Sequence, residues 1–138
     1  MFKVKTSIKA RANTDRVWNL YENVSLWNEW DDSISKVTLN GNFIDNTEGT
    51  IFFSDKNTPP LKFILSDVKP NKSFTTSSFA RDISIKITHN INELEENITI
   101  DNTIEITGKD ENMINNIGNN LCKQIENSTK KLLLLAIN

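Results

Sequence analysis

Apolar and charged positions alternate along residues 2–10, FKVKTSIKA. Phe2, Val4, Thr6 and Ile8 share one face and Lys3, Lys5, Ser7 and Lys9 the other, which predicts a half-buried strand with a lysine-rich wet face. The period then lengthens. Asn13 or Thr14 can cap a helix with Asp15 in its first turn, and Val17, Trp18 and Tyr21 follow at helical spacing. Residues 25–30, SLWNEW, predict a second short helix with Trp27 and Trp30 on one face. Beyond them the strand period returns. SISKVTLNG (33–41), GTIFFSD (49–55), LKFILSDVKP (61–70), KSFTTSSFA (72–80), DISIKITHNI (82–91) and ENITIDNTIEITG (96–108) each read as a strand. The turn signal NTPP (57–60) separates the second and third of these, and NELEE (92–96) suits a hairpin between the last two.

In the fifth strand Ile83, Ile85, Ile87, His89 and Ile91 face Ser84, Lys86, Thr88 and Asn90; in the sixth, Ile98, Ile100, Ile104 and Ile106 share a face. One-sided alternation predicts an antiparallel sheet with one face in and one face out. After Gly108 the helical period returns, with Ile114, Ile117, Leu121, Ile125, Leu132 and Leu135 on one stripe. A helix from Asp110 to Ile137 would be about 40 Å long, enough to lie across the sheet and supply the other half of its core. The expectation is a single domain, 1–138, of α+β class: a strand, two short helices, six more strands and a long C-terminal helix.

The 138 residues suffice for one core without disulfides. Sixteen basic and eighteen acidic residues are mixed along the chain, leaving a net charge of −2. That charge pattern has no basic stripe for phosphates, so no nucleic-acid partner is expected, nor any attraction to anionic membranes. The start, MFKVKTSIKA, lacks a signal-peptide apolar run. The longest apolar run, LLLLAI (132–137), is far short of the roughly 20 residues that span a bilayer, so no stable membrane insertion is expected. The lone thiol, Cys122, has no disulfide partner and suits a reducing cytoplasm.

All three tryptophans and the one tyrosine fall within residues 15–32, DRVWNLYENVSLWNEWDD. The string from Ala12 to Gly41 resembles the amino-terminal signature of the START-like superfamily, also called SRPBCC or Bet v 1-like, and within it the bacterial polyketide cyclase/dehydrase-like proteins. Ala12, Asp15, Val17, Trp18, Trp27, Trp30, Asp31 and Gly41 carry the match, with Asn13 and Thr14 where the family often has proline. Gly49 and Gly108 stand where the next strand begins and where the last strand hands over to the long helix. The resemblance implies a helix-grip fold, in which a curved antiparallel sheet of about seven strands wraps the C-terminal helix, two short helices close one end, and a cavity often lies between sheet and helix. Trp18, Trp27 and Trp30 would then fill the wedge between the short helices, the sheet and the long helix, with Trp30 both core and pocket wall.

Candidate chemistry is sparse. His89, the only histidine, shares the inward face of its strand and is the candidate acid, base or ligand-orienting group; the competing reading is a strand-end histidine bonded near the sheet's edge. Asn102 interrupts an isoleucine face. With NELEE as the turn it lies about opposite Ile85, either inward as a second polar pocket group or turned outward by a β-bulge. Cys122, at the border of the apolar helix stripe, reads as a small buried hydrophobe. One histidine and one cysteine form no ligand-spaced cluster, so neither metal nor cofactor is expected. The expected ligand-lining set is Trp30, Phe52, Phe63, Phe74, Ile85, Ile87, His89, Asn102, Gly118, Leu121 and Ile125. Phe52, Phe63 or Phe74 could equally fill the cavity. The asparagine-rich stretch Asn112–Asn120, with Gly118, disfavours helix by roughly 4 kcal/mol relative to alanine, which marks it, with the NTPP hairpin, as a candidate gate.

Three functions compete. The chain binds or carries a small hydrophobic molecule (a lipid, aromatic or polyketide-like ligand) between sheet and helix; or it is a polyketide cyclase/dehydratase-type enzyme with His89 as base; or it is a protein-interaction domain of the same fold with an exposed apolar patch. A monomer or a homodimer suits each.

Overall fold

The lysine-faced alternation at the start of the chain forms strand β1 (Phe2–Ala10) of a computed structural model that describes residues 1–137. Helix α1 (Thr14–Glu22) follows, then a 3-10 turn (Val24–Leu26) that runs into α2 (Trp27–Trp30). The remaining strands are β2 (Ile34–Leu39), β3 (Glu48–Phe53), β4 (Leu61–Lys69), β5 (Ser73–Ala80), β6 (Ile83–Leu94) and β7 (Asn97–Thr107), and helix α3 (Glu111–Leu135) closes the order. The seven strands form one antiparallel sheet in the order β1-β7-β6-β5-β4-β3-β2. Strands 2 to 7 meander, and β1 pairs with β7, Phe2 opposite Ile106 and Ala10 opposite Ile98.

Capping behaves as the side chains dictate. Asn13 Oδ1 accepts from the Arg16 amide at 3.1 Å to start α1, and Asp110 Oδ1 accepts from the Met113 amide at 3.1 Å to start α3. The β6–β7 hairpin is tighter than NELEE implies. Asn92, Glu93 and Leu94 remain in β6, opposite Thr99, Ile98 and Asn97, and only Glu95 and Glu96 form the turn, Glu95 at φ 55°. Asn102 therefore stands opposite His89, and Ile85 stands opposite Ile106. The ladder around Asn102 is continuous, so no bulge turns it outward. The irregular pairings lie instead in β2, between Ile34 and Lys36, and in β4, between Ser66 and Lys69.

Helix α3 lies against the inner face of the sheet and buries Ile114, Gly118, Ile125, Ser128, Thr129, Leu132 and Leu133. Leu135, expected on that stripe, is 48% exposed; Leu133 and Ala136 are buried in its place. The cause is the end of the helix: the Asn13 amide donates to Ala136 O at 3.0 Å, and an Ala12–Ile137 bridge ties the C-terminal turn to the start of α1.

The aromatic wedge is filled. Trp27 stacks on Phe63 at 5.6 Å, Trp18 meets Phe43 and Phe74 edge-on, and Tyr21 meets Trp30 and Phe74 edge-on. The indole N–H groups tie the two short helices together. Trp27 donates to Tyr21 O at 2.8 Å and Trp30 to Leu20 O at 3.1 Å, while Trp18 donates to Glu22 at 3.1 Å. Tryptophan suits this corner because each ring supplies apolar bulk and one donor, which Trp27 and Trp30 give to carbonyls near the end of α1 and Trp18 to the Glu22 carboxylate. The two aspartates that follow serve the next loop: Asp31 accepts from the Ser33 amide and hydroxyl, and Asp32 pairs with Lys131 of α3 at 2.6 Å.

Candidate functional site

Between the sheet and α3, where the wedge ends, a cavity of about 260 Å³ remains. Its sheet wall is Ile34, Ile51, Phe53, Leu61, Thr76, Ser78, Ile85, Ile87 and His89; its helix wall is Ile117, Leu121, Gln124, Ile125 and Ser128; Trp27, Trp30 and Asp31 close one end. The lining is mostly apolar, with a few polar groups among it, the composition of a small-molecule site. Its volume lies just below the usual range for such sites, so an occupant has one or two rings or a short chain. On the α2 side the rim is latched by polar bonds, Gln124 Nε2 donating to Ser33 Oγ at 2.6 Å and Lys131 pairing with Asp32.

Of the residues expected to line a pocket, Trp30, Ile85, Ile87, His89, Leu121 and Ile125 are on the cavity wall, and Phe52, Phe63, Phe74, Asn102 and Gly118 are not. Phe52 points to the opposite face of β3, beneath the Lys36 ammonium at 5.3 Å. The three consecutive apolar residues Ile51, Phe52 and Phe53 hide the strand's phase, and it is Ile51 and Phe53 that face inward. Phe63 and Phe74 are buried in the aromatic wedge, Phe63 against Trp27 and Phe74 against His89 at 4.6 Å. Gly118 packs on Phe2; a Cβ there would lie 2.5 Å from the Phe2 ring. Asn102 is fully buried behind His89.

The wall residues not anticipated include Trp27, Asp31 and Ile34, in or beside short elements, and Leu61, Ile117 and Gln124, from longer ones. Thr76 and Ser78 carried a usable signal, since they share the alternation of buried Phe74 along β5. A polar stripe on an inward strand face is where a cavity replaces core.

His89 is the chemical centre of this site. It sits mid-strand in β6, which lies in the middle of the sheet, rather than at a strand end. Its Nδ1 is 2.7 Å from Asn102 Oδ1, and Asn102 Nδ2 donates to Thr129 Oγ1 of α3 at 2.9 Å. The ring lies between Phe74 and Tyr21, whose centroid is 5.3 Å away. His89 is half-buried and lines the cavity. Burial holds its pKa down to about 4, against a smaller upward pull from the Asn102 hydrogen bond. The imidazole is neutral at pH 7. Tyr21 OH, also buried, has no hydrogen-bond partner among the described residues, and burial raises its pKa well above the phenol range. Cys122 is half-buried beside Glu126, and burial, then that carboxylate, raises its thiol pKa, which disfavours the thiolate. Among the described residues no group of three or more His, Cys, Asp or Glu is placed to hold a metal ion, and no helix is long and apolar enough to cross a membrane.

No protein-family model matches the chain, and a search of curated proteins finds no match. Solved structures do match. The di-domain ARO/CYC StfQ from the steffimycin biosynthetic pathway superposes with a TM-score of 0.82 at 7% identity, over 97% of this chain and 50% of that one, so this chain spans half the length of StfQ. MLL2253 from Mesorhizobium loti gives 0.79 at 14% identity, over 97% and 96% of the two chains. Ara h 8.0201 gives 0.75 at 6% identity, over 95% and 94%. The likeness is one of fold, and the fold is the helix grip of the SRPBCC, or Bet v 1-like, proteins.

Proposed function

We propose that the protein binds a small hydrophobic molecule (a lipid fragment, an aromatic or a polyketide-like compound) in the cavity between the sheet and α3. The observation that carries this reading is the cavity itself: about 260 Å³, walled mainly by Ile, Leu, Phe and Trp side chains, in a domain whose aromatic wedge is otherwise tightly filled. Native mass spectrometry of the gently purified protein tests it. A reproducible non-covalent adduct released on denaturation, and lost when Leu121→Trp fills the cavity, supports a binder, and the same spectrum reports monomer or homodimer. Failure of added apolar probes to bind the wild type would remove the reading. The free thiol and balanced surface charge suit such a binder in the cytoplasm.

A second reading, a polyketide cyclase/dehydratase-type enzyme, draws on the likeness to StfQ and on the presence of His89 in the cavity wall. The pKa of about 4 weighs against it. A general base works best with a pKa near the operating pH, and an imidazole this weak removes protons poorly at pH 7. Aldol cyclisation rates of a poly-carbonyl substrate for wild type and His89→Ala separate the readings: equal rates leave His89 as a binding group only.

A further inference from the structure

We propose that the cavity selects uncharged ligands bearing a hydrogen-bond donor, with His89 Nε2 as the acceptor and Asn102 and Thr129 as the positioning residues that keep it one. The inference rests on the binding function proposed above and specifies the chemistry of its ligand.

The chain of reasoning starts at α3. Thr129 is 3% exposed and Asn102 0%. The Asn102 amide turns its NH₂ toward Thr129 Oγ1, which leaves Oδ1 toward the imidazole. A carbonyl oxygen only accepts, so Nδ1 carries the ring proton and Nε2 keeps its lone pair. Burial acts in the same direction by favouring the neutral ring. Nε2 has no hydrogen-bond partner among the described residues, and His89 is the one ring on the wall with a bare acceptor nitrogen.

The rest of the wall sets the charge rule. No lysine or arginine lines the cavity among the described residues, and its one charged side chain is Asp31. A carboxylate or phosphate head would be desolvated with no cation to meet it. An ether or ketone oxygen aimed at Nε2 would place acceptor against acceptor. A hydroxyl or N–H on an apolar body satisfies the nitrogen, and the hydroxyls of Thr76 and Ser78, on the neighbouring strand, can serve a second oxygen.

Naphthalene derivatives test this on the wild-type chain, because two fused rings suit a cavity of about 260 Å³. Calorimetry should show 2-naphthol binding at least about tenfold more tightly than 2-methoxynaphthalene or 2-naphthoate. The chain has one histidine, so its ring ¹⁵N signals are unambiguous. Nδ1 should be pyrrole-type and Nε2 pyridine-type, and Nε2 should shift when 2-naphthol is added. Thr129→Val should mix the two tautomers and bring the naphthol-to-ether ratio toward one; Thr129→Ser should restore the wild-type tautomer and ratio. Equal affinity for naphthol and its methyl ether, or a pyridine-type Nδ1 in the wild type, overturns the proposal and leaves the cavity reading standing. An unchanged tautomer in Thr129→Val overturns the positioning role. Should naphthalene and all three derivatives fail to bind, the cavity reading falls and this inference with it.

Discussion

His89 and Asn102 stand directly opposite each other on β6 and β7, and their side chains meet at 2.7 Å on the inner face of the sheet. Asn102 reaches on to Thr129, so one buried amide joins two adjacent strands to the long helix. Replacing it by leucine, of similar size, removes both bonds and strands His89 Nδ1 and the Thr129 hydroxyl. The expected cost is about 2–3 kcal/mol, since buried polar groups lose their partners. Urea denaturation of Asn102→Leu measures it. A change under about 0.5 kcal/mol, the scale of an ordinary surface substitution, would mean the network adds nothing to stability.

The same histidine sets a pH dependence. Its pKa is about 4 in the folded chain against 6.5 for a free side chain. Between those values the unfolded chain holds a proton that the native chain does not, so stability rises with pH across this window. His89 contributes no loss above about pH 7; on acidification its penalty begins near 6.5 and is complete near 4, reaching at most about 3 kcal/mol. Carboxylates titrate in the same region, so the quantity to measure is the difference between wild type and His89→Gln. That difference should shrink or reverse as pH falls from 7 to 4. A constant difference would contradict a neutral, buried imidazole.

Tyr21 is 1% exposed and its hydroxyl has no partner among the described residues. Removing an unsatisfied buried hydroxyl relieves a desolvation penalty, so Tyr21→Phe should stabilise the apo-protein by roughly 1 kcal/mol. Trp27→Phe, which deletes the bond to Tyr21 O and leaves a void beside Phe63, should destabilise it by about 2 kcal/mol or more. Thermal melts of the two variants should move in opposite directions. A drop for Tyr21→Phe would place a water or ligand on that hydroxyl.

Gly118 shows packing overriding propensity. Alanine would favour an exposed helix position by roughly 1 kcal/mol. Here its Cβ would lie 2.5 Å from the Phe2 ring, and overpacking costs about 1–3 kcal/mol. Gly118→Ala should therefore destabilise the wild type and stabilise a Phe2→Leu background. The double-mutant cycle measures that reversal, and additivity would refute the contact.

Much of the architecture was legible because the inward faces are regular. The alternation of Ile83 to Ile91 and Ile98 to Ile106 defined two adjacent inner strands, and the stripe from Ile114 to Leu132 defined the helix across them. The cavity wall was less so. Ile51, Phe52 and Phe53 are apolar in sequence, and alternation needs polar residues to show its phase. The pairing of Asn102 depends on turn length, and NELEE contains neither glycine nor proline, so nothing in it marks the two-residue turn at Glu95 and Glu96. Whether Phe63 and Phe74 fill a pocket or stop short of it depends on where α2 sets the tryptophans, a tertiary fact without a local signal.

The first half of α3 is the remaining element with functional leverage. Asn112, Asn115, Asn116, Asn119 and Asn120 all face solvent, while Ile117 and Leu121 between them line the cavity. That half of the helix holds its place through Ile114, Gly118 and these two wall residues, with poor intrinsic propensity. The second half buries Ser128, Thr129, Leu132 and Leu133 and is tied to β7 through Asn102. Local opening follows such differences in burial. Amide hydrogen exchange should be faster over residues 112–121 than over 125–133, and a bound apolar ligand, by packing on Ile117 and Leu121, should slow the first segment more than the second. Replacing Asn115, Asn116 and Asn119 by alanine should strengthen the first half by roughly 1–2 kcal/mol and slow ligand entry if this segment is the gate. Uniform slow exchange across α3, or entry rates unmoved by the triple substitution, would show that this segment is not the gate.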